Sequence, residues 1–265
     1  MIINCKEIAK KWKNECMDKK ATLAIVQIGD NPASNSYIKG KLKDCEEIGF
    51  IGRLFKYSED VSESFIIHLI ETLNKEKDID GIIVQLPLPK HMNTKKVVNS
   101  VAVEKDVDGF LSESKFEPCT ALGVIKLLEE INYYFVGANV VVFGRSEFIG
   151  KKIADMLLER NATVTICHSK TTEESKKYLL KNADLIITAV GKPNLVNCND
   201  IKKGATVIDV GINKVDGKLC GDFTPPEDGE YCNYTTVPGG VGLLTRAMLM
   251  KNTYEAKGEK LWKNS

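Results

Sequence analysis

Apolar residues along this chain form short runs that alternate with segments of helical periodicity, and the alternation continues over nearly the whole length. Runs rich in β-branched residues predict strands over residues 21–28, 53–57, 79–86, 140–143, 162–167, 184–190 and 206–210. Apolar spacing of three and four predicts helices over 3–19, from a cap at Ser34 or Asn35 to 48, over 63–74, 118–130, 153–158 and 173–181, and from 243 or 244 to about 262. This alternation predicts an α/β protein with two α/β lobes and mostly parallel sheets.

A strand, a glycine-containing turn and a helix form the most informative stretch. The apolar run 140–143 leads into Gly144, Gly150 follows, and apolar residues then recur at helical spacing before the next strand at 162–167. In such a βαβ unit a dinucleotide places its phosphates at the turn that opens the helix. The two glycines alone are a weak signal, because their spacing is not that of the common G-x-G-x-x-G fingerprint.

The end of the second strand of this unit predicts which dinucleotide binds. Enzymes that use NAD carry an Asp or Glu there, roughly 20 residues after the glycines, to hold the ribose 2′-hydroxyl. Here that end has no carboxylate and offers Ser169 and Lys170, while Arg145 and Ser146 follow the first strand. Because a guanidinium matches phosphate oxygens, the set favours NADP over NAD. The alternative is that Arg145 is a solvated loop residue and that Ser169 caps a turn.

Composition narrows the class of protein. The 265 residues carry a net charge of +1, with both signs interspersed, which gives no indication of a nucleic-acid or membrane surface. No apolar run reaches the roughly 18 residues of a membrane span, and the first sixteen residues are too charged for a secretory signal. Eight cysteines without a C-x-x-C pair predict reduced thiols and a cytoplasmic location. Three widely spaced histidines indicate no metal site.

Several polar residues are candidates for chemistry. Tyr37 and Lys41 share a helix face and would form a proton-handling pair, although spacing alone favours Lys41 as a solvated helix lysine. Gln85 follows a buried strand and either orients a ligand or satisfies its own loop. Asp106 and Asp108 suggest a turn held by Asx hydrogen bonds, or a carboxylate that accepts N–H bonds from an amino-pyrimidine edge.

Two glycine-containing segments late in the chain are further candidates. Pro238 and Gly239 lie in VPGGVG, which allows the backbone close to a flat ligand or forms a hinge. Ile212 follows the strand 206–210, where its main chain is placed to bond a nicotinamide carboxamide.

Taken together, these segments resemble the bifunctional methylenetetrahydrofolate dehydrogenase/methenyltetrahydrofolate cyclohydrolase family in both order and spacing. The matching stretches are SYIKGKLKDCEEIG (36–49), DGIIVQLPLP (80–89), KDVDGF (105–110), PCT-x-x-G (118–123), GRS…IG (144–150), NATVTICHSKT (161–171), ADLIITAVGKP (183–193), ATVIDVGIN (205–213) and VPGGVG (237–242). The resemblance covers nearly the whole chain.

The resemblance implies a substrate lobe made from both chain ends, residues 1–120 plus 243–265, and an inserted Rossmann-type NADP-binding lobe, residues 121–242. It implies tetrahydrofolate one-carbon derivatives as substrates and a homodimer. The implied roles are catalysis by Lys41 with Tyr37 and Gln85, folate binding by Asp108, Tyr37, Pro238 and Gly239, and cofactor binding by Gly144, Arg145, Ser146, Gly150, Ser169 and Ile212.

Some positions depart from the family pattern. The segment 111–117 is short, Ala121 and Lys152 replace usual prolines, and Leu243 stands where a proline shapes the folate pocket. The alternatives are therefore a monofunctional NADP-dependent dehydrogenase and a folate- or nucleotide-binding protein without turnover. Spacing alone also admits a shikimate-dehydrogenase-like oxidoreductase, in which the folate motifs have no place.

Overall fold

The computed structural model describes residues 1–227, 231–258 and 261. Contacts divide the chain into two compact units, each built from two chain segments. One unit comprises residues 10–119 and 246–265, and is called the Lys41 unit below. The other comprises residues 1–9 and 120–245, and is called the Gly144 unit.

The Lys41 unit is built around a parallel sheet that has three strands among its described residues, in the order β2-β1-β3. Its elements are helix α1 (Cys5–Asn14), which begins in the other unit, and then β1 (Thr22–Ile28), α2 (Pro32–Ile48), β2 (Ile51–Tyr57), α3 (Glu63–Lys75), β3 (Gly81–Val84) and α4 (Thr94–Val98). Every residue of the central strand β1 is buried, because a parallel strand is covered on both faces. The apolar faces of α3 and α4 pack on this sheet.

The Gly144 unit contains a parallel sheet whose described strands number five, in the order β12-β8-β6-β4-β5. Its elements in chain order are α5 (Cys119–Glu130), β4 (Asn139–Phe143), α6 (Gly150–Leu158), β5 (Thr163–Cys167), α7 (Glu173–Asn182), β6 (Leu185–Thr188), β7 (Val196–Asn197), β8 (Thr206–Asp209), β9 (Asn213–Val215), β10 (Lys218–Cys220), β11 (Phe223–Thr224) and β12 (Asn233–Tyr234). The last helix, α8 (Val241–Glu255), begins here and passes into the Lys41 unit. β9 and β10 form an antiparallel hairpin, and β7 pairs with β11.

Both the fold class and the parallel sheets agree with the sequence-based prediction. Most observed element boundaries differ from the predicted ones by a few residues. The cap of α2 is Asn31 instead of Ser34 or Asn35, because its side chain accepts N–H bonds from Ala33 and Ser34. Pro32 then occupies the first turn, where the absent N–H costs nothing. The final helix begins at Val241 and ends at Glu255, and the predicted end at 262 lies outside the described residues.

The first nine residues belong to the Gly144 unit, whereas the resemblance implied that they form part of the substrate lobe. The cause is a β-bridge between Ile2 and Tyr234. The amide of Ile3 donates to the carbonyl of Tyr234 at 2.8 Å, and the amide of Tyr234 donates to that of Met1 at 3.0 Å. Pairing with a segment so far along the chain leaves no local sequence signal.

Candidate active site

Lys41 is the buried amine of the Lys41 unit. It lies on α2, with only 5% of its surface exposed. Its Nζ donates to Oε1 of Gln85 at 3.0 Å, directly after the end of β3. The amide nitrogen of Gln85 donates to the carbonyl of Leu86 at 2.8 Å, which directs the amide oxygen towards the amine. The structure therefore brings the side chains of Lys41 and Gln85 into direct contact.

Tyr37 lies one helical turn before Lys41 on the same face of α2. The amine nitrogen of Lys41 is 5.5 Å from the centre of the Tyr37 ring. An ammonium at this distance is attracted to the electron-rich ring face. Tyr37 thus contributes to the environment of the amine and offers a flat surface beside it.

The two aspartates of KDVDGF have different roles. The buried carboxylate of Asp106 accepts N–H bonds from Gly109 at 3.2 Å and from Leu111 at 2.9 Å, so the turn interpretation applies to Asp106. Asp108 is partly exposed, and its charge acts directly on Lys41. The short segment 111–117 folds back on this turn, because the hydroxyl of Ser114 donates to the carbonyl of Asp106 at 3.2 Å.

Burial sets the protonation behaviour of this cluster. Loss of hydration lowers the pKa of Lys41 below the ordinary lysine value, although the negative charge of Asp108 opposes the shift. The positive charge of Arg246 adds to the lowering. Burial raises the pKa of Asp108, and nearby Lys41 opposes that rise. An amine with a lowered pKa is available in its neutral form, which is the form that accepts a proton.

Two neighbours of Lys41, Cys119 and Arg246, were not recognised in the sequence, and neither was Asn252, which bonds the same carbonyl as Cys119. The thiol of Cys119 and the amide of Asn252 both donate to the carbonyl of Val107, at 3.2 and 3.0 Å. Burial raises the pKa of Cys119 well above that of an ordinary thiol, which excludes a nucleophilic thiolate near neutral pH. Asn252 and Arg246 lie on α8, and periodicity gave no signal that distinguishes them from other helix residues.

The turn after β4 in the Gly144 unit is closed by glycines. Gly144 has a φ of +114°, and a Cβ there would lie 2.4 Å from the carbonyl oxygen of Ala189. A Cβ on Gly150 would lie 2.2 Å from the carbonyl oxygen of Gly144. The hydroxyl of Ser146 accepts the N–H of Gly150 at 3.3 Å, at the beginning of α6. This close backbone turn at a helix N-terminus fits the phosphates of a dinucleotide.

The residues predicted to bind the 2′-phosphate lie at one edge of the same sheet. Phe143 pairs with Cys167 in the parallel ladder of β4 and β5, so Arg145 and Ser169 each follow that pair by two residues. Arg145, Ser146, Ser169 and Lys170 are all exposed. The turn that carries Ser169 is closed by a 3.0 Å bond from the amide of His168 to the hydroxyl of Thr171. The donor set therefore fits a phosphate group.

The remaining predicted residues also belong to the Gly144 unit. Ile212 follows β8 after Gly211, and its side chain is half-exposed. Pro238 and Gly239 are exposed, and the carbonyl of Pro238 accepts a bond from the hydroxyl of Thr236 at 3.1 Å. Gly239 has a φ of +93°, a backbone conformation that favours glycine.

None of the described helices combines the length and apolar character that crossing a bilayer requires.

Comparison with known proteins agrees with this geometry. Residues 3–108 match the family model of the tetrahydrofolate dehydrogenase/cyclohydrolase catalytic domain. Residues 118–261 match the model of its NAD(P)-binding domain. The bifunctional protein FolD of Exiguobacterium sibiricum is 44% identical over 264 residues, which cover 96% of this chain and 94% of that protein.

Solved structures show the same relationship. The bifunctional FolD methylenetetrahydrofolate dehydrogenase/cyclohydrolase of Campylobacter jejuni superposes with a TM-score of 0.93 at 38% identity, covering 97% of this chain and 98% of that one. The Trypanosoma brucei enzyme, solved with NADP cofactor and an inhibitor, gives 0.92 at 30% identity and 97% coverage of both chains. With a buried lysine in one unit, a glycine-closed nucleotide turn in the other and relatives matched over almost their full length, the chain belongs to the tetrahydrofolate dehydrogenase/cyclohydrolase family.

Proposed function

We propose that Lys41 is the catalytic residue with which this protein hydrolyses 5,10-methenyltetrahydrofolate to 10-formyltetrahydrofolate. The protein is an NADP-dependent methylenetetrahydrofolate dehydrogenase and methenyltetrahydrofolate cyclohydrolase. The observation that carries the assignment of Lys41 is a buried amine, held by Gln85 at 3.0 Å, whose pKa is lowered by burial.

The dehydrogenase step requires alignment of two rings. NADP, when bound, supplies the acceptor for the hydride that leaves the one-carbon bridge of 5,10-methylenetetrahydrofolate. The protein holds the partners at contact distance, which is a large part of the catalysis of such a step. In this proposal Asp108 and Tyr37, with Pro238 and Gly239, hold the folate.

The cofactor has its own residues in the proposal. Arg145, Ser146 and Ser169 hold its phosphates together with the glycine turn at Gly144 and Gly150. The main chain at Ile212 bonds the carboxamide of the nicotinamide.

The hydrolysis step requires proton transfer. Water adds to the cationic methenyl carbon and forms a carbon–oxygen bond, and the neutral amine of Lys41 accepts the proton that the water loses. The bond between that carbon and N5 of the pterin then breaks. The hydroxyl of the adduct loses its proton as the C=O bond of the formyl group forms on N10, and N5 gains a proton. Gln85 keeps the amine in place, and the cationic substrate itself disfavours protonated Lys41.

We further propose that the Lys41 unit is the folate lobe and the Gly144 unit the NADP lobe. The catalytic-domain model matches residues 3–108 and the NAD(P)-binding model residues 118–261, which supports this division except for residues 3–9, 118–119 and 246–261. We also propose that the protein acts in the cytoplasm as a homodimer. Edge strand β5 supports the dimer, because the described part of the sheet pairs it on one side only. Sedimentation at micromolar concentration tests it, and a monomer would contradict it.

Replacement of Lys41 by methionine tests the role of the amine. K41M should lower hydrolysis of the methenyl compound by roughly 100-fold or more, the scale of lost acid–base catalysis, and leave NADPH production intact. Lys43 on the same helix is exposed, and K43M is the matched control. Equal hydrolysis by K41M and the unmodified protein would contradict the assignment.

A further inference from the structure

Asp222 is a buried carboxylate outside every predicted site. Its side chain is fully buried in the Gly144 unit. Three consecutive backbone amides donate to it, from Val190 at 2.8 Å, Gly191 at 3.0 Å and Lys192 at 2.8 Å. Three backbone N–H bonds are strong compensation for the lost hydration of a carboxylate. The side chain therefore fixes the backbone of the segment that follows β6.

The same carboxylate holds a second segment. The side-chain amide of Asn213 donates to Oδ1 of Asp222 at 2.9 Å. Asn213 lies shortly after β8, and β8 is the neighbour of β6 in the parallel sheet. Asp222 thus ties together the segments that leave the carboxyl ends of two adjacent strands, which is where ligands bind in such sheets.

A second buried carboxylate, Asp209, fixes the position of Asp222. Asp209 is the last residue of β8 and accepts N–H bonds from Gly211 at 3.0 Å, Asp222 at 3.1 Å and Phe223 at 2.9 Å. The hydroxyl of Thr188 also donates to it at 2.9 Å. The two aspartates are therefore connected through the backbone of Asp222 itself.

Glycines make room for both carboxylates. A Cβ on Gly211 would lie 2.1 Å from Oδ1 of Asp222, and a Cβ on Gly221 would lie 1.8 Å from Oδ2 of Asp209. Each glycine thus faces the carboxylate of the other segment. A methyl carbon 2.1 Å from a carboxylate oxygen overlaps it, so an alanine at Gly211 would displace the Asp222 side chain.

We propose that Asp222 is a positioning residue for the nicotinamide end of NADP. Ile212 lies between Gly211, which is bonded to Asp209, and Asn213, which is bonded to Asp222. The two carboxylates therefore fix the backbone position of Ile212, because each one holds a chain neighbour of that residue. This inference rests on the proposed role of Ile212 in holding the carboxamide.

The proposal separates the two activities. Ring alignment governs hydride transfer, and a shift of about 1 Å in such an alignment costs on the order of 100-fold in rate. Hydrolysis depends on Lys41, which belongs to the other unit. Disturbing Asp222 should therefore impair the dehydrogenase and leave the cyclohydrolase intact.

Two variants test the proposal in the full-length protein. D222N keeps the size of the side chain but turns a donor towards one pair of N–H groups, and G211A displaces an intact carboxylate. Each should lower kcat/KM for NADP at least 10-fold and weaken NADPH binding in a fluorescence titration, with methenyl hydrolysis within twofold of the unmodified protein. D216N is the matched control, since Asp216 lies in the exposed turn between β9 and β10.

The outcomes distinguish the possibilities. Unchanged dehydrogenase activity and NADPH binding in both variants would overturn the role of Asp222. The role would also be overturned if dehydrogenase and hydrolysis activity both fell in proportion to the fraction of folded protein. If neither variant folds, N213A removes only one contact of the carboxylate and should still raise KM for NADP relative to hydrolysis; an unchanged KM would overturn the role. An unmodified protein that fails to reduce NADP would instead refute the proposed function.

Discussion

The guanidinium of Arg246 lies directly against the α-carbon of Gly40, where a Cβ would be 1.6 Å from one terminal nitrogen. The Nε of Arg246 is 3.0 Å from Oδ2 of Asp44, in ion-pair contact without an aligned hydrogen bond. Asp44 is 2% exposed, and its other oxygen accepts a bond from Lys13 at 2.6 Å. Gly40, next to Lys41, is therefore the position that admits this buried ion pair beside the candidate active site.

Replacement of Gly40 by alanine should destabilise the protein. The new methyl group displaces the guanidinium and leaves Oδ2 of Asp44 buried without its cation, at a cost of about 1–3 kcal/mol. The midpoint of thermal unfolding measures the effect. In an R246M background the same G40A change should cost much less, because no guanidinium is displaced. Equal losses in both backgrounds would contradict the contact.

Removal of the charge of Arg246 should change the pH dependence of hydrolysis. Burial is the main cause of the lowered pKa of Lys41; the negative charge of Asp108 opposes the lowering, and the positive charge of Arg246 adds to it. In R246M the pKa of Lys41 rises, so a higher pH is needed to produce the neutral amine. The rising limb of kcat for hydrolysis should move to higher pH, and K43M should leave it in place. A limb that stays or moves to lower pH in R246M would exclude this electrostatic role.

Two substitutions of Gln85 should have different effects. Q85E places a carboxylate beside the amine, which favours the ammonium form and moves the rising limb of hydrolysis to higher pH. Q85L removes the acceptor without adding charge, so hydrolysis should slow with no such upward movement. Stopped-flow absorbance of the methenyl compound across a pH series measures both. Identical pH profiles of hydrolysis for the two variants would show that residue 85 does not influence the protonation state of Lys41.

Replacement of Arg145 by glutamine should reduce the preference for NADP. A lost charge-assisted hydrogen bond to phosphate is worth about 1.5–3 kcal/mol, which corresponds to roughly a 10- to 100-fold increase in KM for NADP. KM for NAD should change little, because NAD has no 2′-phosphate. K203Q removes an exposed positive charge elsewhere in the same unit and serves as the control. A parallel rise in both KM values would contradict 2′-phosphate recognition.

Helices and strands could be predicted from the sequence where burial produces a local pattern of apolar residues. The fully buried strand β1 and the glycine turn at Gly144 were both visible as apolar runs and breaks. Strand β2 begins at Ile51, two residues before the predicted start, because Ile51 pairs with Thr22. Pairing partners far along the chain decide such ends, and local periodicity does not contain them.

The candidate site likewise contains residues with a local sequence signal and residues whose contacts come from distant segments. Tyr37 and Lys41 were recognisable because helical spacing places them on one face, and the structure confirms that proximity. The ion pair of Arg246 with Asp44 and the carboxylate of Asp222 were not recognised. Each depends on segments distant in sequence, and an isolated Asp or Arg in a helix or loop is indistinguishable from a solvated one.

The discontinuous build of both units has a practical consequence for dissecting the enzyme. A cut after any residue from 10 to 244 divides both units, so neither of the two pieces should fold independently. On the ribosome, the early segments of both units must wait for strand β12 and helix α8 before either core is complete. Separating the two activities therefore calls for point substitutions, because the four segments alternate between the units and no circular permutant makes both units continuous.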